Sequence, residues 1–404
     1  MRTSMLEIYD GSGKCVLNGA LALMLLLPLG AARAQNSETV LYSFQGGNDG
    51  SSPSAGLIMD KSGNLYGTTY WGGGSGCDDG LGCGTVFEFP SSGSETVLHA
   101  FAGQPSDGAW PWGGVIADKA GNLYGTTSQG GANNAGTVFK VSPGGTETTL
   151  YTFTGGSDGG DPLASLIADK AGNHYGTTSM GGAENSGTVF EVAADGTETV
   201  LYSFTGGNDG AAPMGGLITD KAGNIYGTTS LGGANNRGTV FEIAAGGTER
   251  VLYSFTGKSD GGYPMAGVIA DAAGNLYGTT ETGGKGYEGT VFKLATDGTE
   301  TVLHAFSRKK TDGEYPWGGL VMDKAGNLYG TTRGGGQYGS GTVFKVAADG
   351  TETISHSFAG GSDGADPAAG LIRDKAGNLY GTTQMGGTGT ACENGCGTIF
   401  EIGK

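Results

Sequence analysis

Residues 60–69 read DKSGNLYGTT, and closely related ten-residue stretches recur along the chain. Their shared asparagine occurs seven times, at Asn64, Asn122, Asn173, Asn224, Asn275, Asn327 and Asn378. Neighbouring copies are 51 to 58 residues apart, and self-similarity at such a period is typical of repeat proteins. The sequence therefore predicts seven copies of one structural unit.

Each unit contains four short runs of strand character. In the first unit they are the small and aliphatic residues 55–58, then residues 64–69, 84–89 and 95–101. Aspartate-glycine turns join the first run to the second and the third to the fourth, which indicates tight hairpins. Four antiparallel strands make one propeller blade, so the sequence predicts an all-β, seven-bladed β-propeller.

The copy of the fourth run at residues 38–44 precedes the first complete unit. We expect it to supply the outermost strand of the last blade, whose other three strands come from residues 368–402. The Gly/Ala-rich run is expected to lie innermost, because strands crowd toward a propeller axis. Because successive strands run antiparallel, both longer connections of each unit must emerge on one side of the ring, whichever strand is innermost. We call this side the long-loop face.

The N-terminus has the features of an export signal. Arg2 and Lys14 precede an apolar run over residues 16–30, and Ala32 to Ala34 resemble a cleavage site. We therefore predict a signal peptide over residues 1–34, a single propeller domain over residues 35–404, and a periplasmic or extracellular location. No second apolar run follows, so we expect no membrane anchor after cleavage. We also expect the mature chain to be a monomer.

Charge and cysteine content narrow the class further. The net charge of −17 disfavours binding to nucleic acid or anionic membranes. Cys15 lies in the predicted signal peptide. An exported chain permits disulfides, and the other four cysteines lie in two matching loops, so we predict the pairs Cys77–Cys83 and Cys392–Cys396.

The repeat over residues 37–402 resembles the tandem-repeat family called GloVer, a "choice-of-anchor" family of exported bacterial proteins. Stretches such as DKAGNLYGTT at residues 118–127 also resemble the D-x-x-G-N-aromatic-x-G-T signature of two-component-regulator-type propellers. The resemblance implies a propeller and export. It implies no common activity, so it assigns no catalytic residue.

An aspartate recurs in the loop that enters each blade, at Asp49, Asp107, Asp158, Asp209, Asp260, Asp312 and Asp363. Such a ring of carboxylates suits a hard cation such as Ca²⁺, whereas hydrogen bonding within each turn is the alternative. Three histidines, His99, His304 and His356, replace the tyrosine of the fourth run. Because they lie on separate blades, we expect them not to converge in a metal or catalytic site.

The units differ most after the proline of this entry loop, where their residues are Ser54, Trp112, Leu163, Met214, Met265, Trp317 and Ala368. Nearby aromatic and polar variations are Trp71, Asp78, Asp79, Trp110, Tyr315, Arg333, Tyr338 and Glu393. The two tryptophans of the first set and all residues of the second set fall on blades six, seven, one and two, which adjoin in a closed ring. The pattern predicts either a ligand-binding sector or packing between blades.

Aromatic rings beside carboxylates can bind sugars and also form protein–protein hot spots. We therefore predict a non-catalytic, exported binding propeller for a glycan or a cell-surface protein, with no required cofactor. One alternative is an extracellular propeller enzyme of polysaccharide lyase, glycan hydrolase or lactonase type. The other is a repeat scaffold without a small-molecule site.

Overall fold

The computed structural model describes residues 38–74, 76–77 and 80–403. The predicted signal peptide, Asp78 and Asp79 lie outside the described residues. Seven four-stranded antiparallel sheets follow one another along the chain, and each is one blade. The predicted seven-bladed β-propeller is confirmed.

The strands of blades one to four are as follows, each blade from its innermost to its outermost strand. They are β2 (Ile58–Met59), β3 (Leu65–Thr69), β4 (Thr85–Phe89) and β5 (Thr96–Ala100) in blade one; β7 (Ile116–Ala117), β8 (Leu123–Thr127), β10 (Thr137–Val141) and β11 (Glu147–Thr152) in blade two; β12 (Ile167–Ala168), β13 (His174–Thr178), β14 (Thr188–Val192) and β15 (Glu198–Ser203) in blade three; and β16 (Ile218–Thr219), β17 (Ile225–Thr229), β18 (Thr239–Ile243) and β19 (Glu249–Ser254) in blade four.

Blades five to seven repeat this order. Their strands are β20 (Ile269–Ala270), β21 (Leu276–Thr280), β22 (Thr290–Leu294) and β23 (Glu300–Ala305) in blade five; β25 (Val321–Met322), β26 (Leu328–Thr332), β28 (Thr342–Val346) and β29 (Glu352–Ser357) in blade six; and β30 (Ile372–Arg373), β31 (Leu379–Thr383), β32 (Thr398–Ile402) and β1 (Glu38–Ser43) in blade seven. Two small loop ribbons pair β6 (Gly108–Ala109) with β9 (Gln129–Gly130) and β24 (Gly313–Glu314) with β27 (Gly334–Gly335). Short 3-10 turns span Gly47–Asp49 and Gly361–Asp363.

The ring closes as expected, because β1 pairs with β32 and Glu38 lies opposite Ile402. The innermost strands differ from expectation. Within the predicted inner strand of blade one, only Ile58–Met59 pairs with a neighbouring strand. The preceding residues 54–56 line the axis and form no strand ladder. Glycine and alanine let backbones of neighbouring blades approach there: a Cβ on Gly113 would lie 2.6 Å from backbone atoms of Ala164.

The core lies between blades rather than within them. A buried phenylalanine on the third strand of each blade meets, edge to face, the phenylalanine that follows the outermost strand of the preceding blade. The ring centroids lie 5.0–5.2 Å apart in the seven pairs: Phe44–Phe87, Phe101–Phe139, Phe153–Phe190, Phe204–Phe241, Phe255–Phe292, Phe306–Phe344 and Phe358–Phe400. These contacts explain the repeated phenylalanines of the sequence.

The glycine of the NLYGTT stretch makes room for this phenylalanine. A Cβ on Gly67 would lie 2.7 Å from the Phe87 ring and 2.9 Å from Leu57, which is too close for any real side chain. The following threonine then reaches the next blade, since the Thr68 hydroxyl donates to the Gly113 carbonyl at 3.0 Å. One short stretch therefore provides both packing space and an inter-blade hydrogen bond.

The aspartate that begins each DKSGNLYGTT-like stretch organises the tight hairpin between the first and second strands of its blade. The Asp60 carboxylate accepts hydrogen bonds from the backbone amides of Ser62 at 2.8 Å and Asn64 at 2.9 Å. Gly63 has φ 86°, a conformation that favours glycine. Asp60 is thus explained by its turn.

The longer loops carry two disulfides, Cys77–Cys83 and Cys392–Cys396, as the sequence predicts. Each pair lies within one loop, in blade one and blade seven respectively. Among the described residues, no helix has the length and apolar character needed to span a bilayer.

A chain that begins at Gly46 lacks β1 and Phe44, so it tests ring closure. We expect it to lose more stability than the ~3–5 kcal/mol typical of one buried Phe→Ala change, because β32 becomes an open edge and Phe87 loses its partner. Urea unfolding and size-exclusion chromatography measure the effect, with a chain that begins at Asn36 as the control. A monomer with an unchanged unfolding midpoint would contradict this closure.

Candidate functional site

A cavity of about 270 Å³ lies on the propeller axis and is lined by residues of all seven blades. Its wall includes every residue that follows an entry-loop proline: Ser54, Trp112, Leu163, Met214, Met265, Trp317 and Ala368. These residues come directly after the long entry loops, so they mark the long-loop end of the axis. We call the cavity and these seven side chains the axial mouth.

The residue before each of these prolines has a left-handed backbone, with φ between 50° and 59°. The seven residues are Ser52, Trp110, Asp161, Ala212, Tyr263, Tyr315 and Asp366. Such values are uncommon for residues other than glycine, yet the position recurs in every blade and belongs to the fold. Its side chain is free to vary, and blades two, five and six place an aromatic ring there.

Aromatic rings cluster where blade one meets blade two. The Tyr70 ring lies 4.7 Å from Trp71 and 5.1 Å from Trp112, and the rings of Trp71 and Trp110 lie 5.5 Å apart. All four side chains are half-buried rather than exposed. Sequence reasoning missed Tyr70, although it replaces the serine that follows Thr-Thr in blades two to four.

Trp112 of blade two and Trp317 of blade six meet at the axis, with 6.4 Å between their ring centroids. Blades one and seven lie between them in the ring and carry only Ser54 and Ala368 at this position, which leaves room for the two indoles. The structure therefore brings together all four tryptophans of the predicted sector. Their contacts include packing between blades as well as the cavity wall.

A charged pair flanks these rings. The Arg333 guanidinium lies 4.3 Å from the Trp317 ring centroid, and its Nε and Nη2 donate to Asp366 at 2.6 and 2.7 Å. Hydrogen bonding to Asp366 raises the pKa of Arg333 further. Arg333 is thereby held in place by a bidentate ion pair.

The other predicted polar residues lie apart from this cluster. Tyr315 lies beside the buried Glu288, which also bonds Arg308. Tyr338 and Glu393 are exposed in the loops of blades six and seven. Within the described part of the chain, neither makes a ring contact, hydrogen bond or ion pair with the axial mouth.

Asp161 is a further polar group that sequence reasoning missed. Burial raises the pKa of its carboxyl, although a 2.7 Å hydrogen bond from the Ser179 hydroxyl opposes that change. Its charge in turn raises the pKa of Tyr70, after the larger effect of burial. The sequence did offer one signal for Asp161, because blades one and four have a serine and an alanine at the same position before the proline.

The seven entry-loop aspartates are not brought together. Each bonds within its own blade junction: the Asp209 carboxylate accepts from the Tyr202 hydroxyl at 3.0 Å and from the Thr205 amide at 2.7 Å. Among the described residues, no group of three potential metal ligands contains two of these aspartates. The geometry is therefore that of separate turns, not of one calcium site at the axis.

Each aspartate instead belongs to a set of three residues at a blade junction, here called a rim trio. It joins the fourth-run tyrosine or histidine of one blade to the glutamate that begins or precedes the outermost strand of the next. The trios are Tyr42–Asp49–Glu95, His99–Asp107–Glu147, Tyr151–Asp158–Glu198, Tyr202–Asp209–Glu249, Tyr253–Asp260–Glu300, His304–Asp312–Glu352 and His356–Asp363–Glu38.

The glutamates of the rim trios have perturbed acidities. Burial, and then the charge of Asp158, raises the pKa of Glu198 to about 7. Burial and the charge of Asp209 raise the pKa of Glu249 to about 7 in the same way. At these two junctions the glutamate therefore becomes negatively charged only near neutral pH.

Comparisons with known proteins agree with the fold. A family model described as the Gloeobacter/Verrucomicrobia repeat matches residues 77–273 and 223–404. No curated protein sequence matches the chain.

Three solved structures with a similar fold have 10–14% sequence identity to this chain. They include virginiamycin B lyase from Staphylococcus aureus (10% identity, TM-score 0.55, 90% of this chain and 97% of that chain) and a fungal alcohol oxidase in complex with copper (14%, TM-score 0.56, 91% and 76%). A third is an extracellular domain assigned to a hybrid two component system from B. thetaiotaomicron (13%, TM-score 0.55, 89% and 39%). Such low identities show a shared fold alone.

The raised pKa values of the rim glutamates predict that the free energy of unfolding falls as pH rises. The folded-state pKa of about 7 of Glu198 and Glu249 lies above the ordinary value of 4.5. The stability that these two glutamates contribute is therefore complete below pH 4.5 and is lost as pH rises through 7. Burial raises the pKa of Asp220, but hydrogen bonds from Asn224 and Ala222 outweigh it and lower the pKa overall. Hairpin aspartates of this kind thus contribute equally across pH 5–8.

We therefore expect the melting temperature to be lower at pH 8 than at pH 5, and the double change Glu198→Gln and Glu249→Gln to reduce that difference. Differential scanning calorimetry across pH 5–8 measures it. The exposed Glu184→Gln is the matched control and should retain the parent's slope. Equal slopes for parent and double variant would refute the assignment.

Proposed function

The chain belongs to the Gloeobacter/Verrucomicrobia repeat family, and we propose that it is an exported binding protein that holds an uncharged glycan at the axial mouth. Trp112 and Trp317 act as the stacking platforms. The observation that carries this proposal is that their rings meet, with centroids 6.4 Å apart, in the wall of a cavity to which every blade contributes. Two blades separated by two others provide tryptophans that only the closed ring brings together.

The size and lining of the cavity fit a small part of a sugar chain. Its volume of about 270 Å³ is just below the ~300–1,000 Å³ usual for ligand pockets. The wall combines polar and apolar surface in similar amounts, and Leu163, Met214 and Met265 line it on blades three to five. A terminal sugar ring can stack its apolar face on an indole and direct its hydroxyls to polar groups at the edge.

The charges around the axial mouth favour a neutral ligand. Arg333 is already neutralised by Asp366, and the whole chain carries a net charge of −17. Such a surface repels polyanionic glycans. The paired guanidinium and carboxylate retain donor and acceptor positions that suit hydroxyl groups.

Catalysis at the axial mouth is the alternative to pure binding. Related folds include a lyase and an oxidase, so the architecture does not choose between the two. The raised pKa of Asp161 is typical of catalytic acids, which makes glycan cleavage the second candidate. In that case an Asp161→Asn change would abolish product formation from any glycan that binds, whereas pure binding yields no product.

Export is part of the same proposal. The two loop disulfides are the kind of cross-link that forms in an oxidising compartment. The predicted signal peptide adds a second argument from the sequence. A periplasmic or extracellular location would give the long-loop face access to glycans.

We expect Trp112→Ala and Trp317→Ala each to weaken glycan binding at least tenfold, because each removes one stacking surface. Met214→Ala and Met265→Ala change the opposite wall of the same cavity and should weaken binding less than the tryptophan changes do, because methionine offers no stacking ring. A glycan array, with and without Ca²⁺, identifies the ligand, and isothermal titration calorimetry then measures the affinities.

The same variants distinguish binding from packing. If the tryptophans serve only to pack, each change of tryptophan to alanine should lower the free energy of unfolding by about 3–5 kcal/mol. The methionine variants should then lose as much glycan affinity as the tryptophan variants do. Trp112→Phe preserves part of the packing and keeps the test valid if the alanine variant unfolds. No retained glycan on the array for the folded parent would overturn the proposal.

A further inference from the structure

We infer that three of the seven rim trios are sites for one divalent transition-metal ion each. The three are His99–Asp107–Glu147, His304–Asp312–Glu352 and His356–Asp363–Glu38. Each provides one imidazole nitrogen and two carboxylates, and it lies between the outermost strands of neighbouring blades. These sites are separate from the axial mouth and do not depend on glycan binding.

The trio of His304, Asp312 and Glu352 shows the geometry. One potential ligand atom from each residue lies within 4.8 Å of the other two. The His304 Nε2 and Asp312 Oδ1 atoms are 3.0 Å apart. Nitrogen and oxygen ligands about 2.0–2.2 Å from an ion, at tetrahedral or octahedral angles, lie about 2.8–3.6 Å apart. The Glu352 ligand atom lies within 4.8 Å of the other two, so its carboxylate must move into this range when an ion binds.

The supporting hydrogen bonds resemble those around metal-bound carboxylates. The Ser307 hydroxyl donates to Asp312 Oδ2 at 2.8 Å, and the Gly313 amide donates to Oδ1 at 2.9 Å. Asp312 is buried, at 7% exposure, and its orientation is fixed by these bonds. Ligands held in this manner lose little freedom when an ion binds.

The charge balance of the trio favours a cation. Two carboxylates lie at the junction, and none of the ion pairs among the described residues joins a lysine or arginine to them. The Glu352 Oε1 atom is buried and has no hydrogen-bond partner, which is costly for an acceptor. The same oxygen is unpartnered in the glutamates of all four tyrosine trios, so the histidine, not this oxygen, distinguishes the proposed sites. A dication would neutralise both carboxylates and bond this free oxygen.

The other four rim trios separate the metal hypothesis from a purely structural role. They have the same aspartate and glutamate, but a tyrosine hydroxyl donates to the aspartate, as in Tyr202 to Asp209 at 3.0 Å. Tyrosine therefore suffices to hold a blade junction together. Histidine changes the chemistry of the junction because its imidazole is a good ligand for Zn²⁺, Cu²⁺, Ni²⁺ and Fe²⁺.

This assignment differs from a calcium ring in ligand type. Ca²⁺ takes six to eight oxygen ligands, and a Ca²⁺ site would not distinguish histidine from tyrosine junctions. One nitrogen with two carboxylates suits Zn²⁺, with water in the remaining position. We therefore use Zn²⁺ as the probe.

The test is a titration of the purified chain, free of any histidine tag and dialysed against chelator, with Zn²⁺ in a calorimeter. We expect close to three bound ions, one for each histidine trio. His304→Tyr should remove one ion without lowering the melting temperature, because tyrosine is the residue that four junctions already use. The triple change at His99, His304 and His356 should remove all three.

A gain of function is the second arm. Tyr202→His should add one bound ion, and Zn²⁺ should raise the melting temperature of the parent but not of the triple tyrosine variant. His174 remains in every variant and controls for adventitious binding to histidine. If the parent binds no Zn²⁺, or the triple variant binds as many ions as the parent, the trios are hydrogen-bonded junctions only.

Discussion

The edge-to-face phenylalanine pair between neighbouring blades is the interaction on which the propeller depends. A single four-stranded sheet cannot cover both of its faces, so each blade buries its apolar side chains against the next. The core cluster of Val189, Phe204, Leu217 and Phe241, for example, draws on blades three and four together. Because every junction needs its neighbour, the last blade must meet the first, and the N-terminal strand makes that closure through the Phe44–Phe87 contact.

This requirement explains which repeat positions are constant within the chain. The glycine of NLYGTT stays glycine because the neighbouring phenylalanine ring occupies its side-chain space. The threonine after it stays threonine because its hydroxyl reaches the inner segment of the next blade, as Thr382 does to Ala55 at 3.2 Å across the closure. The variations that form the candidate sites lie outside this packing: at the residues flanking the entry-loop proline, in the long loops, and at the tyrosine or histidine of the rim trio.

The two candidate sites arise from such variable positions, but at different distances from the axis. At the axis, seven equivalent positions converge, so a change from serine or alanine to tryptophan in two blades alters one shared cavity. At the rim, equivalent positions diverge, so a change from tyrosine to histidine creates separate local sites. Ring symmetry thus decides whether repeated residues act together or singly.

The sequence alone determined the number of blades, the four strands of each, the closure by residues 38–44 and the two disulfides. All of these follow from period, turn residues and loop equivalence, which are local or repeating features. It also placed the tryptophans on one sector.

Only the tertiary structure decided that Trp112 and Trp317 meet at the axis and that Tyr70 and Asp161 lie beside the axial mouth. It also decided that Tyr338 and Glu393 lie apart from the mouth. At the rim, it brought each histidine to a carboxylate at the junction with the next blade. The inner strands were also shorter than predicted. These outcomes depend on the twist of each sheet and on the distance between blades, which are set by packing between residues about fifty positions apart in the chain rather than by any local pattern.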